Sequence, residues 1–213
     1  MRVTPSILVL VCANLLPVVG VVWWGWSVFS VMLLFWLENM IVGILNIPRI
    51  LFARGDGDEK RGRLFSRLFT AVFFSVHYGM FTFAHGVFVF SLFGEGIGED
   101  PSPQLVYQLV LEYQLYWAVL ALFVSHLMSL VLNYFLSGEY RTATVKKMMH
   151  KPYSRIVVLH LGIIFGGIVL DLLQAPVFGL IVLIVVKIVV DVRAHMKEHH
   201  ELSVTISPDQ EPA

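Results

Sequence analysis

Cysteine and charged residues are both scarce in this sequence. Only 14% of the 213 residues are charged, whereas a soluble domain carries roughly 25%. The single cysteine, Cys12, cannot form an internal disulfide, which excludes a fold stabilised by internal disulfides. The formal net charge is +0, so the chain lacks the basic field typical of nucleic-acid-binding proteins. We therefore expect no nucleic-acid partner.

Long apolar runs are what the sequence has instead. Hydrophobic residues make up 57% of the chain, and the mean hydropathy is +0.78. A membrane-spanning helix needs about 20 mostly apolar residues, and six runs qualify. The sequence thus predicts an all-α polytopic membrane helix bundle, a single transmembrane domain at residues 1–200 surrounded by membrane lipid. We expect a disordered tail at 201–213. The predicted spans are 5–22, 26–48, 66–93, 113–137, 155–173 and 177–197, with a short interfacial helix near 104–112.

The first apolar run has the position of a signal peptide, but no small-x-small cleavage site follows it. We therefore interpret residues 5–22 as an uncleaved span. Lys and Arg cluster in the loops that follow the second and fourth spans and near the C-terminus, whereas residues 94–112 contain neither. By the positive-inside rule, both termini are predicted to be cytoplasmic.

Ionisable side chains inside these spans are the candidate functional residues, because such groups are costly in lipid and usually face the interior of a bundle. Depth along each helix places Glu38, His77 and His126 near mid-membrane. By the same count His160 lies nearer the cytoplasm, and His85 lies nearer the outside, which makes His85 a weaker candidate. The candidate metal ligands are His77, His126, His160, Asp191, Glu38 and His85.

Imidazole is the commonest metal ligand, and carboxylates complete zinc or iron sites. The leading hypothesis is therefore that the protein has an intramembrane metal site and is a membrane-embedded enzyme that acts on an apolar substrate. Zinc, iron or copper is the candidate cofactor, and Glu38 would be the general base for metal-activated water. The compact H-E-x-x-H motif is missing. Lys187 and Asp191 are four residues apart on one helix. We interpret them as an ion pair whose charges neutralise each other rather than as a proton relay.

Two other hypotheses stay open. A proton or metal-ion transporter would use a ladder of polar groups from His85 to His160, Asp191 and His195, although no internal repeat is evident. A structural or interaction protein would use its histidines only as hydrogen-bonding contacts between helices. Haem ligation by His77 and His126 has no other support. An intramembrane serine protease is disfavoured, because its G-x-S-x motif is missing.

Several strings occur together along the chain: Trp36-x-Glu38-Asn39, His77-Tyr-Gly-x-Phe-x-x-x-His85-Gly, and Lys187-x-x-x-Asp191-x-x-x-His195. In this combination the sequence resembles an uncharacterised family of bacterial integral membrane proteins, catalogued as a domain of unknown function. The resemblance covers about residues 5–200. It implies a bacterial inner-membrane location and brings no activity, substrate or assigned catalytic residue.

Overall fold

The structure is a computed structural model that describes residues 19–21, 23–55, 60–97 and 101–173, with backbone alone at 60–63 and 165–173. Throughout these ranges the chain is helical with connecting loops and forms no strand. The helices are α1 (Val28–Phe52), α2 (Lys60–Phe93), α3 (Pro103–Glu112), α4 (Tyr116–Met128), α5 (Val145–His150) and α6 (Tyr153–Leu173). A π-helix at Ser129–Leu136 continues α4, and a 3-10 turn occupies Glu139–Arg141.

Three helices are long and apolar enough to cross a membrane, namely Val28–Phe52, Leu64–Phe93 and Tyr116–Leu136. They correspond to the predicted spans 26–48, 66–93 and 113–137. Helix α6 matches the predicted span 155–173 in position, and α3 matches the predicted interfacial helix. The predicted span 177–197 and the tail lie outside the described residues, as does nearly all of the predicted span 5–22.

Helix α1 does not end at Pro48-Arg49, where the sequence predicted its end. It continues through Pro48 to Phe52. Proline removes one backbone hydrogen bond from a helix, but packing compensates for that loss when the next turn is buried. Ile50 and Ala53 are fully buried in a cluster with Tyr134 and Met148, which explains why the helix persists past the proline.

Helices α1 and α2 form the antiparallel pair that organises the core. The Trp36 ring lies against Gly86, where a Cβ would come within 2.7 Å of its ring atoms, and Trp36 Nε1 donates to the Thr82 carbonyl at 2.7 Å. Gly43 gives similar room to the ring of Tyr78. Small residues thus let large aromatic rings of one helix fit against the backbone of the other.

The stretch 138–155 was predicted as a basic loop between two spans. Its residues 138–152 fold back into one end of the bundle, and α6 already begins at Tyr153. The Arg54 amide donates to the Tyr140 carbonyl at 2.8 Å, and the Gly55 amide donates to the Ala143 carbonyl at 2.9 Å. The Asn46 side-chain amide donates to the Met148 carbonyl at 2.9 Å, and both residues are buried. The two loops rich in Lys and Arg therefore meet at the same end, which we call the basic end.

The surface of the basic end carries one perturbed phenol. A hydrogen bond from Arg141, together with the positive charges of Arg141 and Arg54, holds the pKa of Tyr140 below its ordinary value. Both guanidinium groups also lie over the Tyr140 ring, at 5.2 Å for Arg54 and 5.7 Å for Arg141. The contact joins the chain after α1 to the turn before α5.

Because α5 fills the basic end, α6 begins inside the bundle rather than at its edge. Tyr153, its first residue, packs against Tyr78, and Tyr78 donates to the backbone carbonyl of Asn39 near the middle of α1. Farther along, His160 of α6 contacts His85 of α2. Helices α2 and α6 therefore run in the same direction, with Tyr153 beside His77 and His160 beside His85.

Candidate functional site

A buried carboxylate stands at the centre of the candidate site. Glu38 is 3% exposed and lies near the middle of α1. At a rise of about 1.5 Å per residue, it is about 15 Å along the helix from Val28 and about 21 Å from Phe52. Its Oε1 accepts a hydrogen bond from Arg155 Nη1 of α6 at 2.8 Å and one from His126 Nε2 of α4 at 3.2 Å. Three helices thus contribute to one ionic contact.

The charges of this contact compensate each other. An isolated carboxylate in a low-dielectric interior is expensive, and a guanidinium at hydrogen-bond distance offsets that cost. Because the carboxylate can only accept, His126 presents its Nε2–H to Glu38. We call Glu38, His126 and Arg155 the ionic centre. It is neutral overall when His126 is neutral.

Further polar groups adjoin the ionic centre. The Tyr78 hydroxyl lies 3.5 Å from the Asn39 side-chain oxygen, and the Tyr78 ring packs against the Tyr153 ring with the ring centroids 5.7 Å apart. Asn39 donates its side-chain amide to the Phe35 carbonyl one turn earlier at 2.9 Å. The region around the start of α6 is therefore polar across three helices.

The π-helix begins three residues after His126 in the chain. Its first residue, Ser129, accepts a hydrogen bond from Arg49 of α1 at 3.2 Å, and its Tyr134 donates to the Arg49 carbonyl at 2.5 Å. Wide π turns inside helices often occur beside functional sites, because they redirect side chains without breaking the helix. Here the π-helix brings both side chains to α1, next to the turn that carries His126.

Two histidine contacts connect α2 with α6. His77 Nδ1 lies 2.6 Å from the Tyr153 hydroxyl, and His85 Nε2 lies 3.2 Å from His160 Nδ1. His85 Nδ1 is 2.7 Å from the Phe81 carbonyl, which can only accept, so Nδ1 carries the proton. In a neutral His85, Nε2 is then an acceptor, and His160 Nδ1 donates to it. The backbone thereby sets the tautomers of both rings.

The sequence-derived candidates are thus distributed over pairs rather than gathered in one shell. Glu38 meets His126, His85 meets His160, and His77 meets a tyrosine. Within the ranges that the structure describes, no group of three or more His, Cys, Asp or Glu residues could hold a metal ion. Asp191, Lys187 and His195 lie outside those ranges.

The contact between His85 and His160 contradicts the depths expected from the sequence, which put them on opposite sides of mid-membrane. The estimate for His160 counted inward from a membrane boundary at residue 155. In the structure α5 and its flanking turns occupy that boundary region, with Met148 only 1% exposed. Helix α6 therefore starts deeper, and His160 reaches the level of His85.

Sequence reasoning missed Arg155 and Tyr153 as site residues. Arg155 was counted among the loop charges that set topology, although its side chain is 26% exposed and contacts Glu38. The available signal was its position: Arg155 comes immediately before an apolar run and five residues before His160. A basic residue on the same helix as an intramembrane histidine is a candidate counter-ion for a buried carboxylate.

A family model described as a family of unknown function (DUF6498) matches residues 1–205. The chain belongs to this family. No curated protein and no solved structure matches it. The resemblance to an uncharacterised domain family is therefore confirmed.

Within this DUF6498 chain, the two strings on α1 and α2 that carried the resemblance coincide with contacts between helices, and the string from Lys187 to His195 lies outside the described residues. Trp36-x-Glu38-Asn39 supplies the ring against Gly86, the buried carboxylate and the acceptor for Tyr78. The string from His77 to Gly86 supplies both histidines of α2. Polar and packing residues of one string thus serve the same junction of α1, α2 and α6.

Proposed function

We propose that this chain is a six-span protein of the bacterial inner membrane, with both termini cytoplasmic, that transports protons through its polar interior. The observation that carries the proposal is the buried Glu38 carboxylate held by Arg155 and His126 from two other helices. A carboxylate whose counter-charge lies on a neighbouring helix can take up a proton and release that helix. Acidic and histidine side chains are the usual proton carriers within membranes.

The proposed topology is supported by the basic end. Positive charge marks the cytoplasmic side of a membrane protein, and the two basic loops are joined there by backbone hydrogen bonds. The segment after α2 contains Glu95, Glu99 and Asp100 and no Lys or Arg. This difference favours an orientation with residues 53–60 inside and residues 94–102 outside.

A sequence of titratable contacts supports a proton path along α2 and α6. His77 and Tyr153 occupy one level, the ionic centre is close to it, and His85 with His160 lies about 12 Å beyond His77 at about 1.5 Å per residue. Each contact joins different helices, so a change of protonation at one of them alters how two helices pack. We infer that protons pass between these levels.

The other two hypotheses are weaker on these contacts. A metalloenzyme with Glu38 as general base needs a metal held close by, and Arg155 at 2.8 Å from Glu38 would repel a cation there. A purely structural role accounts for neutral contacts such as Asn46 with Met148. It accounts poorly for a buried ion pair, because well-packed apolar residues stabilise helix contacts at least as well.

Proton flux into proteoliposomes tests the proposal. Purified protein would be reconstituted with the pH dye pyranine inside, and valinomycin would impose a potassium diffusion potential, negative inside. We expect acidification faster than in protein-free liposomes. In Glu38→Gln the amide oxygen still accepts from His126 and Arg155, but an amide does not take up and release a proton near neutral pH, so flux should fall about tenfold or more.

Thr82→Val is the matched control, since Thr82 is buried on α2 and only its carbonyl, not its hydroxyl, takes part in the contact with Trp36. The control should conduct like the wild type. Wild-type flux equal to that of empty liposomes would overturn the proposal. Undiminished flux in Glu38→Gln would remove Glu38 from the path and overturn it equally.

A further inference from the structure

The contact between His85 and His160 lies on the proposed proton path, and its geometry also suits a second role. We propose that these two histidines bind a transition-metal ion of the Cu²⁺ or Zn²⁺ class, using His85 Nε2 and His160 Nδ1 as ligands. Neutral imidazole is the ligand that both ions favour among nitrogen donors.

The separation of the two nitrogen atoms fits such a site. They lie 3.2 Å apart, with the ring planes inclined at 75°. Two nitrogens each about 2.0–2.1 Å from a tetrahedral Zn²⁺ are roughly 3.3–3.4 Å apart. The two nitrogens are therefore already about as far apart as two ligands of one ion, so coordination requires the rings to tilt but requires little change in the distance between the helices.

The orientation of His85 is also that of a metal ligand. Metal-binding histidines usually donate their other ring N–H to a carbonyl or carboxylate, which fixes the tautomer and the ring orientation. His85 donates Nδ1–H to the Phe81 carbonyl at 2.7 Å, on the preceding turn of α2. Its Nε2 therefore carries no proton, and the lone pair that accepts from His160 Nδ1 becomes available to an ion once His160 no longer donates to it.

Metal binding requires only a tautomer change at His160. Without metal, His160 Nδ1–H donates to His85 Nε2. With metal, the proton of His160 resides on Nε2, and Nδ1 coordinates the ion. No net proton is released, and both rings stay neutral. Metal binding and the ring-to-ring hydrogen bond therefore exclude each other.

The two sides of the site differ in exposure. His85 is only 5% exposed, whereas His160 is exposed on the surface of the described residues. Within the part of the chain that the structure describes, His160 is thus the more accessible of the two ligands. The ionic centre offers no equivalent position, because Arg155 places a positive charge against the carboxylate beside His126.

Copper titration with electron paramagnetic resonance tests this site. The full-length protein, purified in detergent without a polyhistidine tag, would carry His199→Ala and His200→Ala so that histidines near the C-terminus do not compete. We expect about one equivalent of Cu²⁺ to bind with nitrogen hyperfine coupling from two imidazoles. In His160→Gln the side-chain amide can still donate to His85 Nε2, so the fold is retained while affinity falls at least about tenfold.

His77→Gln is the matched control, since His77 lies on the same helix and also contacts α6, but through a tyrosine. It should bind Cu²⁺ like the parent protein. His85→Gln provides an independent second test of the same pair. Absence of two-imidazole coupling in the parent protein would overturn the proposal, as would unchanged binding in both His85→Gln and His160→Gln. Glu38→Gln should leave copper binding intact, because Glu38 is not a ligand of this site. This outcome distinguishes failure of the metal site from failure of the proposed proton path.

Discussion

Arg155 Nη1 lies 2.8 Å from Glu38 Oε1, although the two residues are 117 positions apart in the sequence. The contact ties the first turn of α6 to the middle of α1. It also determines what a substitution would do, because the Arg155 guanidinium offsets the cost of the buried Glu38 carboxylate, whereas Arg155 itself is partly exposed.

Arg155→Met should destabilise the protein strongly, by about 3 kcal/mol or more, because it removes the guanidinium that offsets the charge of the buried Glu38 carboxylate. Glu38→Gln should cost less, since Arg155 is partly exposed and keeps an acceptor in the amide. The double variant should be more stable than Arg155→Met alone. Thermal unfolding in detergent, followed by tryptophan fluorescence, measures all three. If Arg155→Met unfolded at the same temperature as the wild type, the ion pair would contribute nothing to the stability of the fold.

Gly86→Ala should destabilise the contact between α1 and α2 by about 1–3 kcal/mol, because the new methyl group would come within 2.7 Å of the Trp36 ring. Gly79→Ala provides the control on the same helix, as no atom lies within 4 Å of a Cβ there. That substitution should be neutral or slightly stabilising. If both variants lost the same amount of stability, the loss would come from replacing glycine in α2 as such. It would not come from contact between the new methyl group and the Trp36 ring.

The helices were more predictable than the contacts between them. Apolar length determines a spanning helix, so α2 ended at residue 93 as predicted, and α4 with its π-helix occupies the predicted fourth span. The partners of Glu38 depend on how α6 is inserted beside α1. That insertion follows from the burial of Met148 and its contact with Asn46, which no periodicity encodes. Polar residues could therefore be identified by their cost in lipid, but their pairing could not.

Asn46→Leu should release α5 from the bundle, because the buried Met148 carbonyl would lose its donor at a cost of about 1–3 kcal/mol. Hydrogen exchange in residues 145–152 should accelerate more than in α1 or α2, since those helices retain their own packing. Lys146→Ala, on the exposed side of α5, is the control and should leave exchange unchanged. Acceleration spread evenly over the protein would instead mean that Asn46 supports global stability.

Reporter fusions should report a cytoplasmic C-terminus and an external loop after α2. Alkaline phosphatase, which is active only outside the cytoplasm, should be active when fused after Glu99 and inactive when fused after Lys151 or Ala213. Green fluorescent protein at the last two positions should give the complementary signal. The expectation rests on the basic end, where the loops after α1 and before α6 are joined by hydrogen bonds and must share one side. Active phosphatase after Lys151 would show that the orientation is the opposite of the one proposed. Opposite signals at Lys151 and Ala213 would show that the chain between them crosses the membrane an odd number of times.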